Sequence, residues 1–149
     1  MVEEMTPDAR RAFLTSGTRT AILATTRPDG RPHAVPVCFV LDDDEVLFLT
    51  NDGTAKGQHL QRDPRVTVVV DDEVPPFAFV MIEGTAELSR SPGDIDRVAP
   101  RIAVRYDGAD GVEEFVRFAR AGRSPRPGAC ARRRPTPRST AGPATARRR

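Results

Sequence analysis

Five short apolar stretches, joined mostly by connections of only a few residues, constrain the fold of this chain more than any other feature. Each stretch is rich in β-branched, aromatic or aliphatic residues and is bounded by turn residues; the stretches are 19–26, 32–41, 45–50, 65–70 and 77–88. Short connections join antiparallel neighbours, whereas parallel strands need long crossovers. The pattern predicts a mainly β (α+β) domain, in which a small antiparallel β-barrel has short helices at its ends.

Capping residues mark the start of four helices around these strands. Thr6 followed by Pro7 predicts a helix to about Ser16, and 54–61 reads as a short helix between the third and fourth strands. The third helix starts after Ser91, and the last covers 110–120.

Three residues predict local irregularities. We expect Pro36 to lie on an edge strand or at a bulge, because proline cannot donate to a strand ladder. Gly84 is expected to mark a bend in the fifth strand. Pro100 is expected to break or kink the third helix before Tyr106.

Length and composition limit the class of protein. A chain of 149 residues with a hydrophobic fraction of 38% makes one domain with a modest core, which favours association with a second copy. No apolar run approaches the roughly 20 residues of a membrane span, and the acidic N-terminus lacks the design of a signal peptide, so we expect a cytoplasmic protein without a membrane partner. Cys38 and Cys130 lack metal-binding or redox spacing, and His33 and His59 lack ligand partners nearby; we therefore predict no metal site.

Charge is distributed unevenly along the chain. Residues 121–149 carry nine arginines and no acid, whereas the first 120 residues carry a net charge of −7. We predict a cofactor-binding domain over 1–120 and a disordered basic tail over 121–149, in which Cys130 and its neighbours form no buried strand. The Arg/Pro/Ala/Gly texture of the tail also resembles out-of-frame translation of GC-rich DNA. A third interpretation of the tail is an arm that binds nucleic acid, although no aromatic residues interleave with its arginines.

The chain contains a single lysine, Lys56, among 23 basic side chains. It follows Thr54 and Ala55 where the third strand gives way to the short helix. Free backbone amides, the positive end of a helix dipole and an ammonium would meet there, which is the environment that a phosphate requires. The alternative is a solvated lysine in a chain whose genome prefers arginine codons.

Four short stretches, taken in order, resemble the pyridoxamine 5′-phosphate oxidase-like flavin-binding split β-barrel family. They are Ala-Ile-Leu-Ala-Thr at 21–25 with Pro-Asp-Gly-Arg-Pro at 28–32, Val-Pro-Val-Cys-Phe at 35–39, Leu-Phe-Leu-Thr at 47–50 with Thr-Ala-Lys at 54–56, and Leu-Gln-Arg-Asp-Pro-Arg-Val at 60–66. The resemblance covers about residues 8–90. Where members that bind FMN tend to carry Arg-Lys, this chain has Ala55-Lys56, so it looks most like the branch that uses the deazaflavin coenzyme F-420.

The resemblance implies a homodimer whose cofactor sites lie between subunits. It assigns Thr54 and Lys56, with Ala55 between them, to the cofactor phosphate. Val35, Pro36 and Val37 would lie along the ring, and Leu49 and Thr50 would line the chain between ring and phosphate. No catalytic acid or base is implied, because the cofactor itself carries out the hydride chemistry.

The function that the resemblance implies is hydride transfer between F-420 and a small unsaturated acceptor. Two alternatives stay open: an FMN-binding enzyme with a pyridoxamine-phosphate-oxidase-like activity, and a non-catalytic flavin or deazaflavin carrier. The sequence does not identify the substrate. The loop 71–76 and the region after Ser91 carry no recognisable specificity code, and Arg62 and Arg65 could meet the acidic tail of F-420 or be merely solvated.

Overall fold

The computed structural model describes residues 4–121 and, for the backbone alone, residues 129–135 and 141–142. The helices are α1 (Pro7–Thr15), α2 (Ala55–Arg62), α3 (Pro92–Asp107) and α4 (Val112–Ala121), with a 3₁₀ turn at Ala109–Gly111. The strands are β1 (Ala21–Thr26), β2 (Pro32–Val37), β3 (Phe39–Asp42), β4 (Glu45–Thr50), β5 (Arg65–Asp72), β6 (Ala78–Ser89), β7 (Ala129–Pro135) and β8 (Ala141–Gly142). The predicted α+β class with short helices is confirmed.

All strand pairs are antiparallel, and the sheet has the order β2-β1-β5-β6-β7-β4-β3, with β8 paired to β6. The predicted strand 32–41 is two strands, because the chain leaves the β1 ladder at Val37 and joins the β4 ladder at Phe39. Cys38 therefore links the two ends of the sheet covalently. Pro36 lies opposite Ile22 on β2, an end strand of this order, which agrees with its predicted edge position.

Two segments of the tail that follows the last helix have the backbone of strands. The backbone of β7 pairs with Gly84–Ser89 of β6 on one side and with Phe48–Thr50 of β4 on the other, and β8 pairs with β6 farther along. The physical reason is that strand pairing satisfies the backbone N–H and C=O groups of two neighbouring edges, whatever the side-chain composition. The reading-frame and nucleic-acid interpretations of 121–149 depend on side chains outside the described residues, and they stay predictions.

Of the break or kink predicted at Pro100, the break is absent, since α3 continues as a helix to Asp107. A proline inside a helix costs about 3 kcal/mol. The inner face of α3 buries Ile95, Val98 and Ile102 completely or almost so. Each such side chain contributes roughly 1.5–3 kcal/mol on burial, so packing outweighs the cost of the proline.

Three further local predictions concern the caps of α1 and α3 and the bend at Gly84. Thr6 caps α1 by accepting a hydrogen bond from the Ala9 amide at 3.2 Å. Ser91 occupies the cap position of α3 but its hydroxyl makes no capping bond. The β5–β6 ladder passes Gly84 in continuous register, so the predicted bend involves no bulge. None of the helices in the described residues is both long and apolar enough to cross a membrane.

Two apolar clusters hold the sheet and helices together. The larger lies between the strands and includes Leu23, Phe39, Phe48, Val68 and Val80. The smaller packs Val98 and Ile102 of α3 against Val40 and Leu47 of the β3–β4 hairpin. Leu49 and Phe115 pack against the smaller cluster, which therefore forms the floor beside the start of α2.

Candidate functional site

The junction between β4 and α2 is a tight turn built by side-chain and backbone hydrogen bonds. Asn51 accepts the Gly53 amide on its side-chain oxygen at 2.9 Å and the Thr54 amide on its backbone carbonyl at 3.0 Å. Thr54 then caps α2 by accepting the Gly57 amide at 3.2 Å. The predicted start of the helix is confirmed.

The hydroxyls at this corner are occupied within the protein. Thr54 donates its proton to the Asn51 carbonyl at 2.7 Å. Because that proton is committed, the 3.3 Å contact between the two threonine hydroxyls has Thr50 as donor and Thr54 as acceptor. Both threonine hydroxyls therefore have hydrogen-bond partners within the turn and help to shape it.

The helix start itself leaves backbone donors available. Within the described residues, the amides of Ala55 and Lys56 have no acceptor, because the Thr54 cap satisfies only Gly57 and the Gln58 amide reaches the Thr54 carbonyl. Two free amides at the positive end of a helix dipole favour an anion.

Gly57 is required by the turn. A Cβ at this position would lie 2.2 Å from the Asn51 carbonyl oxygen and 3.2 Å from the Thr54 hydroxyl. The residue is buried against the protein's own backbone. The absence of a side chain therefore permits the tight turn, rather than the approach of a ligand.

A charged anchor holds the turn to the rest of the domain. Asp52 is buried and accepts two hydrogen bonds from the guanidinium of Arg90, at 2.9 and 3.1 Å. Gln61 of α2 donates a third, at 3.2 Å. The anchor joins the turn to the end of β6 and to the last turn of α2, which fixes the direction of the helix.

An open cavity of about 230 Å³ lies beside this helix start. Its lining includes four of the sequence-predicted cofactor residues, Pro36, Val37, Leu49 and Lys56. Cys38, Ile102 and Phe115 complete it. The structure thus brings half of the predicted cofactor residues to one place.

Lys56 is the charged group of the cavity. Its side chain is half-buried, and burial lowers the pKa of its ammonium from the usual value of 10.5. No hydrogen bond or ion pair to the ammonium exists within the part of the chain that the structure describes. A partly desolvated and unpaired cation is stabilised by an arriving anion.

The remaining predicted site residues do not line the cavity. Val35 packs against the larger apolar cluster, opposite Leu23 in the ladder. Ala55 has an exposed side chain at the first position of α2. Thr50 and Thr54 support the corner as described above.

Cys38, Ile102 and Phe115 were missed because their proximity depends on tertiary packing. Ile102 and Phe115 come from α3 and α4, which lie far from the resembling stretches in sequence. Cys38 is exposed at the break between β2 and β3, and burial of its sulfur together with nearby Asp107 raises the pKa of its thiol. Only the strand break, which the sequence did not predict, turns it toward the cavity.

Two histidines pack α2 against the sheet. The rings of His33 and His59 meet edge to face with centroids 5.0 Å apart, and the His59 ring nitrogen Nδ1 lies 3.0 Å from the Thr25 hydroxyl. Burial, with the positive neighbours His33, Arg27 and Arg62, lowers the pKa of His59. In the described residues, no three histidine, cysteine or acidic side chains come together as metal ligands.

Other candidates have structural partners. Arg65 pairs with Asp63 at 2.7 Å and holds the pKa of that carboxyl at about 2, while Arg62 donates to the Thr26 carbonyl. The Tyr106 hydroxyl donates to the Arg19 carbonyl at 2.8 Å, which ties the end of α3 to the strands.

The fold and the site together define a small α+β protein with an open cavity beside the start of a short helix. The sequence model of the pyridoxamine 5′-phosphate oxidase family matches residues 6–126. The chain belongs to this family, and the flavin-binding family predicted from the four short stretches is confirmed.

Solved structures with the same fold have diverse functions. A conserved hypothetical protein from Mycobacterium tuberculosis is similar with a TM-score of 0.80 at 27% identity, over 93% of this chain and 85% of that one. An F-420 reductase has a TM-score of 0.63 at 22% identity, over 87% of this chain and 94% of that one. The haem storage protein HutZ from Vibrio cholerae has a TM-score of 0.71 at 14% identity, over 94% and 96% of the two chains. Fold alone therefore does not select the cofactor.

Proposed function

We propose that this protein is an oxidoreductase that binds coenzyme F-420 and passes hydride between it and a small unsaturated acceptor. The observation that carries the proposal is the half-buried ammonium of Lys56, which has no partner among the described residues, beside two free helix amides and a cavity of about 230 Å³. This set of groups fits a molecule that has a phosphate joined to a planar ring.

Each residue has a role in binding rather than in chemistry. Lys56 and the amides of Ala55 and Lys56 would hold the phosphate by charge-assisted hydrogen bonds, worth roughly 1.5–3 kcal/mol each. Pro36, Val37 and Leu49 would hold the ring and exclude water. When bound, the cofactor supplies the hydride chemistry, so no acid or base on the protein is required.

The choice between cofactors depends on Ala55. An arginine at this exposed first position of α2 would add a second cation near the phosphate, as in the FMN-binding pattern, whereas alanine leaves Lys56 alone. FMN remains the alternative for the same cavity, and a non-catalytic carrier is the alternative to an enzyme.

We also infer that the site is completed by a second copy of the chain in a split-barrel homodimer. One chain supplies a cavity of about 230 Å³. Small-molecule pockets usually span roughly 300–1,000 Å³, so further walls are needed to enclose such a ligand. A separate open groove between β1, β5 and β6 exposes Ile22 and Phe77, which are 37% and 40% exposed, and offers an apolar face for the partner.

The proposal is tested by titrating the purified protein with F-420 and with FMN. We expect tighter binding of F-420, and we expect Lys56→Ala to weaken it at least about tenfold, the loss of one charge-assisted hydrogen bond. Lys56→Arg is the matched control, because it keeps the positive charge. Unchanged affinity in Lys56→Ala would remove this corner from the binding site.

The two alternatives give different outcomes. Preferential binding of FMN would favour the oxidase-like enzyme. Tight binding of F-420 without stopped-flow oxidation of the reduced cofactor by any of a panel of conjugated acceptors would favour the carrier.

A further inference from the structure

The cavity beside Lys56 has two sides, and only one is accounted for by the cofactor residues. Pro36, Val37 and Leu49 come from strands, whereas Ile102 and Phe115 come from α3 and α4. Ile102 is buried in the smaller apolar cluster, while Phe115 packs onto that cluster and is only half-buried. Phe115 is the largest side chain in the lining.

The helix that carries Phe115 is lightly attached. None of the α4 side chains is fully buried, and its inner face consists of half-buried Val112, Phe115, Val116 and Ala119 against α3. One exposed ion pair, Arg120 to Asp96 at 2.7 Å, closes its far end. Exposed pairs contribute little, so the position of α4 depends on the thin apolar stripe to which Phe115 belongs.

A planar ring that enters the cavity meets few groups able to stack on it. Among the lining residues Phe115 is the one aromatic side chain, and aromatic pairs in offset or edge-to-face contact are worth about 0.5–1.5 kcal/mol beyond the area they bury. The charge of the cavity lies on Lys56, so phosphate recognition and ring recognition fall on different elements.

We infer that Phe115 on α4 is the adjustable wall that recognises the planar ring of the ligand and limits the ring systems that the site admits. The inference rests on the proposed function and deepens it, because it divides the site into a phosphate corner on α2 and a ring wall on α4. It also makes α4 a specificity element.

The test measures the affinities of Phe115→Ala for F-420, FMN and a ring-free sugar phosphate, ribose 5-phosphate. We expect about tenfold weaker binding of the two ring-bearing ligands, from lost burial and aromatic contact, and unchanged binding of the sugar phosphate. Lys56→Ala should weaken all three. Phe118→Ala is the matched control, because Phe118 lies on the same helix, is 54% exposed and does not line the cavity.

If Phe115→Ala does not fold, Phe115→Leu takes its place in the same measurements, because leucine keeps the apolar bulk of the side chain without an aromatic ring. The inference is overturned if the wild-type affinity for the ring-bearing ligands persists in the folded Phe115 variant, or if Phe118→Ala shows the same loss. A wild-type protein that binds neither F-420 nor FMN overturns the proposed function as well. Binding in the wild type without any Phe115 effect overturns the inference alone.

A second readout is independent of affinity. The chain contains no tryptophan, so Phe115→Trp and Phe118→Trp each introduce a single fluorophore. We expect bound F-420 to reduce acrylamide quenching of the tryptophan at 115 by at least about twofold and to leave that at 118 unchanged, because a wall residue is covered by its ligand. Equal protection at both positions contradicts the inference.

Discussion

Lys56 is held in a state that favours anion binding. Its side chain lines the cavity, and burial lowers the pKa of its ammonium without a compensating acid in the described residues. A phosphate would stabilise the charged form and raise that pKa again. Binding and protonation at this residue are therefore linked.

This linkage predicts a pH dependence. As the pH rises through the lowered pKa of Lys56 in the free protein, more of the side chain becomes neutral and the affinity for F-420 falls. The loss begins below lysine's usual pKa of 10.5. Lys56→Arg should hold its affinity to about pH 10, because arginine stays charged.

The measurement is the ratio of the wild-type and Lys56→Arg dissociation constants for F-420 between about pH 7 and pH 10, the range set by lysine titration. Titration of the ligand affects both proteins and cancels in the ratio. A ratio that does not change with pH would show that the charge of Lys56 plays no part in binding.

At the scale of elements, α2 is a short helix positioned by contacts from four directions. Thr54 caps it, the Asp52–Arg90 pair anchors its preceding turn, Gln61 joins the same carboxylate, and His59 packs against β1 and β2. An eight-residue helix has little stability of its own. Its direction, and hence the direction of the free amides, comes from these contacts.

Gly57→Ala tests how tightly the turn controls the site. The new Cβ would overlap the Asn51 carbonyl at 2.2 Å, so the turn must shift. We expect the free energy of unfolding to fall by about 1–3 kcal/mol and the affinity for F-420 to fall with it, although Lys56 is intact. Urea unfolding and cofactor titration measure the two effects.

Gly93→Ala in the first turn of α3 is the matched control. There the added Cβ would meet only the Ser91 hydroxyl, at 3.6 Å, and alanine is the better helix former by about 1 kcal/mol. Wild-type stability and affinity in Gly57→Ala would show that the turn is not constrained as described.

At the scale of the whole molecule, the sheet exposes a groove that one chain leaves open. Ile22 and Phe77 lie along it, and Asp71, Asp72 and Glu73 form part of its rim. Asp72 is paired with Arg19 at 2.5 Å, so the charge of the rim is partly neutralised. An apolar centre with a polar rim is the usual anatomy of a protein interface.

We expect the wild-type protein to be a dimer and Phe77→Glu to be a monomer, because an interfacial carboxylate would be buried without a partner. The variant should also bind F-420 more weakly, since the partner's wall is lost. Sedimentation velocity measures the mass. Val104→Glu on α3 is the control, with a side chain that is 55% exposed and outside the groove. A monomeric wild type that binds F-420 tightly would contradict the dimer proposal.

The sequence by itself determined the features that depend on near neighbours in the chain. Local hydrogen bonding and periodicity explain the Thr6 and Thr54 caps, the β-branched strands and the position of Lys56 at the start of α2. Four of the cofactor residues that the family resemblance predicted line one cavity. Local rules failed where distant parts of the chain supply the stabilising free energy. Burial of the inner face of α3 keeps the helix continuous at Pro100, and the edges of β4 and β6 pair with β7. Only the tertiary structure decided that Cys38, Ile102 and Phe115 complete the cavity and that His33 meets His59. Such contacts depend on how elements pack, which the spacing of residues along the chain does not encode.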